Sequence, residues 1–199
     1  MRLDPFYMIV DSSCWIERLV PLGIKIVQLR IKDKPEDILR AQIRRAHSIC
    51  AAHDCQLIVN DHWRLAIEEG CVHLGQEDLA EADLGAIRAA GLKLGLSTHD
   101  GTELETALAA KPDYVALGPI YPTVLKQMKW APQGLQRIAD WKRRVGPLPL
   151  VAIGGLNIER LRGVFDAGAD SAAVVTDITR NADPEARTRA WIARTAEWR

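Results

Sequence analysis

A single-domain (β/α)8 barrel, an α/β fold, is what this sequence predicts, and three observations predict it. Short apolar runs alternate with amphipathic stretches eight times along the 199 residues. The apolar runs are mostly continuous, as expected of parallel strands buried on both faces. No glycine-rich phosphate fingerprint follows the first run. Asp11-Ser12-Ser13 stands there instead, which argues against an open doubly wound sheet. Roughly 200 residues is the lower size limit of the barrel. That length fills one sizeable core and is short for two, so residues 1–199 are expected to form one domain.

The elements follow in order. Phe6–Val10 is an apolar run ending at Asp11, the first strand. Ser12 or Ser13 can cap a short helix through Val20, and Gly23 ends it. Ile24–Arg30 is the second strand. Pro35 then opens a long amphipathic helix to about His53, at a position where its missing N–H costs nothing. Gln56–Asn60 is strand three, His62–Glu69 a helix stopped by Gly70, and Cys71–Leu74 strand four. A helix over Leu79–Ala90 closes at Gly91. Leu92–Ser97 is strand five, Gly101–Ala110 a helix and Tyr114–Gly118 strand six. The loop Pro119–Pro132 is long for a compact domain, and loops of that length are usually functional. Gln133–Arg144 is a helix and Pro149–Ile153 strand seven, followed by Gly154-Gly155 and a helix to about Ala167. Asp170–Thr176 is strand eight, and Pro184–Trp198 the last helix.

Composition excludes several classes of function. Net charge is +0, so no global field favours nucleic acid or an anionic membrane. No apolar run approaches the ~18–20 residues that span a bilayer. The N-terminus lacks the basic region and long apolar core of a signal peptide. A cytoplasmic protein is expected, and a homo-oligomer is compatible with it. Cys14, Cys50, Cys55 and Cys71 form no CxxC pair and no zinc-ligand spacing, so they read as small buried hydrophobes in a reducing compartment.

Catalytic residues of a barrel come from the C-terminal ends of its strands. Strand two ends Gln28-Leu29-Arg30-Ile31-Lys32, and alternate residues of an extended chain share a face. Gln28, Arg30 and Lys32 then offer one amide and two cations to a polyanion; the competing reading is a surface ion-pair row. Asp61 and Asp78 follow strands three and four. Two carboxylates without a neighbouring thiol suit Mg2+, which takes one or two carboxylates plus substrate phosphates; the competing reading for each is a helix N-cap. Asn60 can donate to a phosphate or a ring nitrogen, and Glu77 reads as a solvated carboxylate. Ser97 and His99 follow strand five, but no GxSxG elbow accompanies them. Ser97 is therefore read as a hydrogen-bond donor to substrate, His99 as a loop residue, and His73, inside a strand, as a satisfied core residue. Thr123 and Lys126 add a hydroxyl and a cation on the long loop. Gly154-Gly155 and Val175-Thr176 end strands seven and eight, where barrels usually cradle a phosphate with backbone N–H groups. Asp177 beside them is expected to point away. Two anion sites on one mouth suit an enzyme with a diphosphate leaving group and a phosphorylated acceptor.

The segments Gln28-Leu29-Arg30-x-Lys32, Val59-Asn60-Asp61, Val72 to Asp78, Gly118-Pro119-Ile120-Tyr121-Pro122-Thr123, Ala152-Ile153-Gly154-Gly155 and Gly168-Ala169-Asp170 to Thr176 resemble, in order, thiamine-phosphate synthases. The resemblance covers about Phe6 to Thr176. It implies a transferase that joins hydroxymethylpyrimidine diphosphate to a thiazole phosphate, in its carboxylated form, releasing thiamine phosphate and pyrophosphate through a dissociative carbocation mechanism. It implies Mg2+ on Asp61 and Asp78. It implies the pyrimidine diphosphate on Gln28, Arg30, Lys32, Asn60, Ser97 and Lys126, with Arg30, Lys32, Ser97 and Lys126 as the catalytic set. The thiazole phosphate would lie against Thr123, Val124, Leu125, Gly155, Val175 and Thr176. Three departures from the family pattern stand out: Leu125 where Thr is common, Thr176 where Ser is usual, and a run at Gly70-Cys71-Val72 that is two residues short. That shortening lies at the end of strand four opposite Asp78, which it is not expected to move.

Two rival functions predict different residues. A thiazole tautomerase of related fold would lack the metal carboxylates and carry a catalytic His near strands five and six. A non-catalytic phosphate-binding barrel acting as a regulator would have no reason to gather Arg30, Lys32, Lys126 and two carboxylates around one pocket.

Overall fold

Each apolar run becomes a strand of one parallel sheet, and the sheet closes on itself. The computed structural model describes residues 2–123 and 130–199. The strands are β1 Phe6–Val10, β2 Ile26–Leu29, β3 Gln56–Asn60, β4 Cys71–Leu74, β5 Lys93–Thr98, β6 Tyr114–Leu117, β7 Leu150–Ile153 and β8 Ser171–Val174. They pair in sequence order, and β8 returns to β1, with Met8 opposite both Val27 and Val174. The result is a (β/α)8 barrel in one domain.

Alternation along each strand sorts the core into two parts. Residues turned outward pack with the surrounding helices, as do Met8, Val27, Val72 and Leu96. Residues turned inward fill the lumen: Tyr7, Ile9, Ile26, Ile58, Cys71, Tyr114, Ala116, Val151 and Ala173. One glycine makes that filling work. A Cβ at Gly95 would sit 2.0 Å from Tyr114 Cζ, so the Tyr114 ring occupies the volume that any other residue at 95 would claim.

The helical layer is α1 Ser13–Leu19, α2 Glu36–Ala52, α3 Gln76–Glu81, α4 Leu84–Ala89, α5 Gly101–Ala109, α6 Gly134–Val145, α7 Leu161–Asp166, α8 Thr176–Thr179 and α9 Pro184–Thr195. It departs from strict alternation in three places. The helix expected over His62–Glu69 is only a 3-10 turn, Trp63–Leu65, followed by tight turns. The ten residues between β3 and β4 are too few for a helix with its two connections. The helix expected over Leu79–Ala90 begins earlier and breaks in two. Asp83 stops it, because its side chain accepts from Ala86 N at 2.9 Å and caps a new helix. Gln76, Glu77 and Asp78, expected in a loop, thus form the first turn of α3. Strand eight ends early, since Thr176 already starts α8.

Cys50, Cys55 and Cys71 are buried, but Cys14 is exposed, contrary to expectation. On α1 the buried side is Ser13, Ile16 and Leu19, and position 14 faces away from it. Among the described residues no helix is long and apolar enough to cross a membrane.

Candidate active site

The C-terminal ends of β2, β3 and β4 bring the predicted cations and carboxylates together. Beyond β2, Gln28 and the two cations part company. Gln28 is buried at 3% exposure and turned into the lumen, whereas Arg30 and Lys32 are exposed at the rim. Lys32 Nζ bonds the Asp61 carboxylate, so the cation row and the carboxylate pair share one edge. Arg30 is anchored through its backbone, N–H to the Val10 carbonyl at 2.8 Å.

Asp61 is held in an unusual way. Its φ is +64°, left-handed backbone that few residues other than Gly adopt and that Asp tolerates better than most. Its N–H donates to the His73 carbonyl at 2.9 Å. Neither Asp61 nor Asp78 is an N-cap: Gly75 caps α3, and Asp78 lies inside the first turn. The capping alternative therefore falls away for both. Asp78 sits against Asp61. Burial raises the Asp61 carboxyl above the usual range, the Lys32 bond and charge pull it down, and the neighbouring Asp78 raises it again. A half-buried pair of adjacent carboxylates, with one lysine bonded to Asp61, has room for further positive charge. That fits a hard divalent cation. Among the described residues no cluster of three or more His, Cys, Asp or Glu could hold a metal alone, so substrate oxygens would complete the shell. A cavity of about 380 Å³ opens beside them, lined among others by Lys34, Arg40, Asp61, Arg64 and Asp78.

The remaining strand ends complete the rim. Asn60 is buried at 5% exposure. Ser97, half-buried, lies with its Oγ 2.8 Å from His73 Nε2, and its carbonyl accepts from Gln76 Nε2 at 2.6 Å. His73 is the satisfied interior residue expected, its Nδ1 2.9 Å from the Tyr114 hydroxyl. His99 pairs with Glu103 at 2.7 Å and stacks on Trp130, as a loop residue does. Glu77 is exposed. The short run at Gly70 leaves β4 in register, with His73 opposite Asn60 and Asp78 facing Asp61.

On the far side of the mouth, Gly154 and Gly155 both have left-handed φ, +101° and +63°. They give close approach, but to protein: a Cβ on Gly154 would stand 2.7 Å from Pro119, and one on Gly155 2.4 Å from the Pro122 carbonyl. The loops after β6 and β7 are zipped by Ile120 N–H to the Ile153 carbonyl at 2.9 Å and Tyr121 N–H to the Gly154 carbonyl at 3.0 Å. Arg160 bonds the Gly155 carbonyl and lies over the Tyr121 ring, a cation at this rim that its sequence neighbours did not advertise. Thr123, Val175 and Thr176 are half-buried here. Thr176 opens α8, whose first N–H groups have no partner inside the helix. Asp177 does point away, taking bonds from Arg187 at 2.8 and 3.0 Å and from Trp191 Nε1 at 2.7 Å. Val124, Leu125 and Lys126 lie outside the described residues.

Sequence reasoning missed Tyr7 and Tyr114, which carry polar atoms into the lumen. The signal was present in FYMIV, where the inward register of Ile9 places Tyr7 inward as well. A larger cavity, about 610 Å³, opens at the opposite end of the barrel beside Arg2, Lys25, Cys55 and Arg199, and it contains none of the predicted site residues. In barrels that end serves stability, not chemistry.

The family model for thiamine monophosphate synthase matches residues 6–178. A thiamine-phosphate synthase of Rhizobium etli is 74% identical over 201 aligned residues, covering 100% of this chain and 98% of that protein. One from Salmonella choleraesuis is 51% identical over 179 residues, covering 89% and 85%. The solved structure of a thiamine phosphate pyrophosphorylase from Pyrococcus furiosus superimposes with a TM-score of 0.87 at 24% identity, over 98% of this chain and 96% of that one, which supports the fold alone. On the family model and these full-length relatives, this chain belongs to the thiamine monophosphate synthase family.

Proposed function

We propose that this enzyme joins hydroxymethylpyrimidine diphosphate to thiazole phosphate, in its carboxylated form, giving thiamine phosphate and pyrophosphate. The observation that carries the reading is the Asp61–Asp78 pair, with Lys32 bonded to Asp61 at a barrel mouth. In this reading Arg30, Lys32 and Lys126 hold the diphosphate, and their charge favours its departure. Gln28, Asn60 and Ser97 orient the pyrimidine. Asp61 and Asp78 would hold Mg2+, which when bound supplies charge that lowers the cost of releasing pyrophosphate. Thr123, Val124, Leu125, Gly155, Val175 and Thr176 seat the thiazole phosphate so that its ring nitrogen captures the pyrimidine carbocation. Among the described residues of the set there is no activated protein nucleophile: Ser97 faces a buried histidine whose other nitrogen meets the Tyr114 hydroxyl, not a carboxylate. That absence of a triad suits a dissociative transfer. Other partners than these small phosphorylated molecules, nucleic acid and membrane among them, have no support in the charge pattern.

The test is coupled turnover with both substrates, followed by pyrophosphate release with and without Mg2+. Asp61→Ala is expected to lose at least about 100-fold in Mg2+-dependent release while its circular dichroism stays native. Full turnover in that variant would remove Asp61 from the metal site. Conversion of the thiazole phosphate alone, by isomerisation, would instead favour a tautomerase.

A further inference from the structure

The lumen holds a hydrogen-bonded chain whose two ends, Gln28 and Ser97, belong to the proposed site and whose interior, Tyr7, Tyr114 and His73, does not. Gln28 Nε2 donates to the Tyr7 hydroxyl at 2.7 Å. The Tyr7 and Tyr114 hydroxyls are 2.9 Å apart, Tyr114 lies 2.9 Å from His73 Nδ1, and His73 Nε2 lies 2.8 Å from Ser97 Oγ. The first four residues are buried, and Ser97 stands half-buried at the mouth. The Tyr114 ring is fixed in place by the missing side chain of Gly95.

Such a chain has only two polarities. A tyrosine hydroxyl has one proton to give, and a neutral imidazole has one donor and one acceptor. With no buried proton left without an acceptor, one choice at one end sets every bond. The Gln28 amino group can only donate. The Tyr7 proton then goes to Tyr114, and the Tyr114 proton to His73 Nδ1. The imidazole proton sits on Nε2 and is donated to Ser97 Oγ. Ser97 accepts, and its own proton is left for a ligand. Turning the Gln28 amide over reverses every step: His73 carries its proton on Nδ1, and Ser97 gives its proton to the histidine.

We propose that Tyr7, Tyr114 and His73 are positioning residues that hold His73 as its Nε2–H tautomer and so present the Ser97 hydroxyl to the pyrimidine diphosphate as a donor. This rests on the placing of Ser97 against that substrate. The His73 ring is buried and each of its two nitrogens faces a hydroxyl, an arrangement made for the neutral imidazole.

Nitrogen-15 spectra of histidine-labelled enzyme without substrate read the tautomer directly. The wild type is expected to carry the His73 proton on Nε2. Tyr114→Phe is expected to lose that preference and to lower kcat/KM for the pyrimidine diphosphate about tenfold, to the level of Ser97→Ala. A wild-type proton on Nδ1, or an unchanged His73 spectrum in Tyr114→Phe, overturns the proposal whatever the activity. If Tyr114→Phe fails to fold, the wild-type spectrum decides alone. An Nε2 proton together with full activity in Ser97→Ala overturns instead the placing of Ser97 on the substrate.

Discussion

A methyl group at Gly95 would occupy the Tyr114 ring, since its carbon would stand 2.0 Å from Cζ and 2.3 Å from Cε1. Tyr114 is fully buried and β5 is paired on both sides, so neither can shift freely. Gly95→Ala should therefore cost about 3 kcal/mol, the upper range for overpacking. Urea denaturation of Gly95→Ala, Tyr114→Val and the double variant provides the check. The double variant should be more stable than the sum of the two singles predicts; strict additivity would mean that the ring and the glycine do not compete. At this scale the sequence was legible where residue type and position coincide. Asp61, Asp78, Arg30 and Lys32 announce themselves as charges at strand ends. Tyr7 and Tyr114 do not, because a buried phenol in an apolar run looks like ordinary core filling until the register of its strand is known.

At the scale of elements, Asp177 ties α9 to α8, the short helix after β8. Its two oxygens take the Arg187 fork and the Trp191 indole N–H. Asp177→Ala would leave Trp191 Nε1, on a fully buried side chain, without its acceptor. The expected loss is about 2 kcal/mol, measured by urea unfolding, with α9 the first segment to gain amide exchange. Uniform exchange along the chain would argue against this tie. The strands were readable because a parallel barrel strand must be apolar along its whole length. The helices after β3 and β4 were read less well. The β3–β4 connection is set by available length, not by apolar period, and the break at Asp83 by a capping bond that competes with continuation of the helix. The glycines after β7 were found, yet the Cβ space they leave is taken by the loop after β6, a tertiary contact that no local pattern carries.

Across the whole molecule, the lumen stores protons. Burial pushes the Cys71 thiol from 9.0 up to about 12, with the Asp113 charge adding to the rise, and Tyr7 and Tyr114 also lie above the usual phenol range. For these groups the folded state binds its proton more tightly than the unfolded chain. Their stabilising effect is full below pH 9 and is lost as pH rises toward the folded values. Cys71 alone accounts for about 4 kcal/mol of that alkaline loss. Urea unfolding below and above the ordinary thiol range should reveal it, with tyrosinate absorbance of Tyr7 and Tyr114 appearing only as the barrel opens. Stability that stays flat up to pH 12 would contradict it.

The interlock of the two loops also limits how this chain can be recombined with its relatives. Gly154 and Gly155 fit only against the backbone of Pro119 to Pro122, and the two segments share main-chain hydrogen bonds. In a chimera, residues 118–123 and 153–155 thus form one exchange unit although 29 positions of sequence separate them. A crossover placed between β6 and β7 divides that unit between two parents, whereas one placed between α7 and β8 keeps it whole.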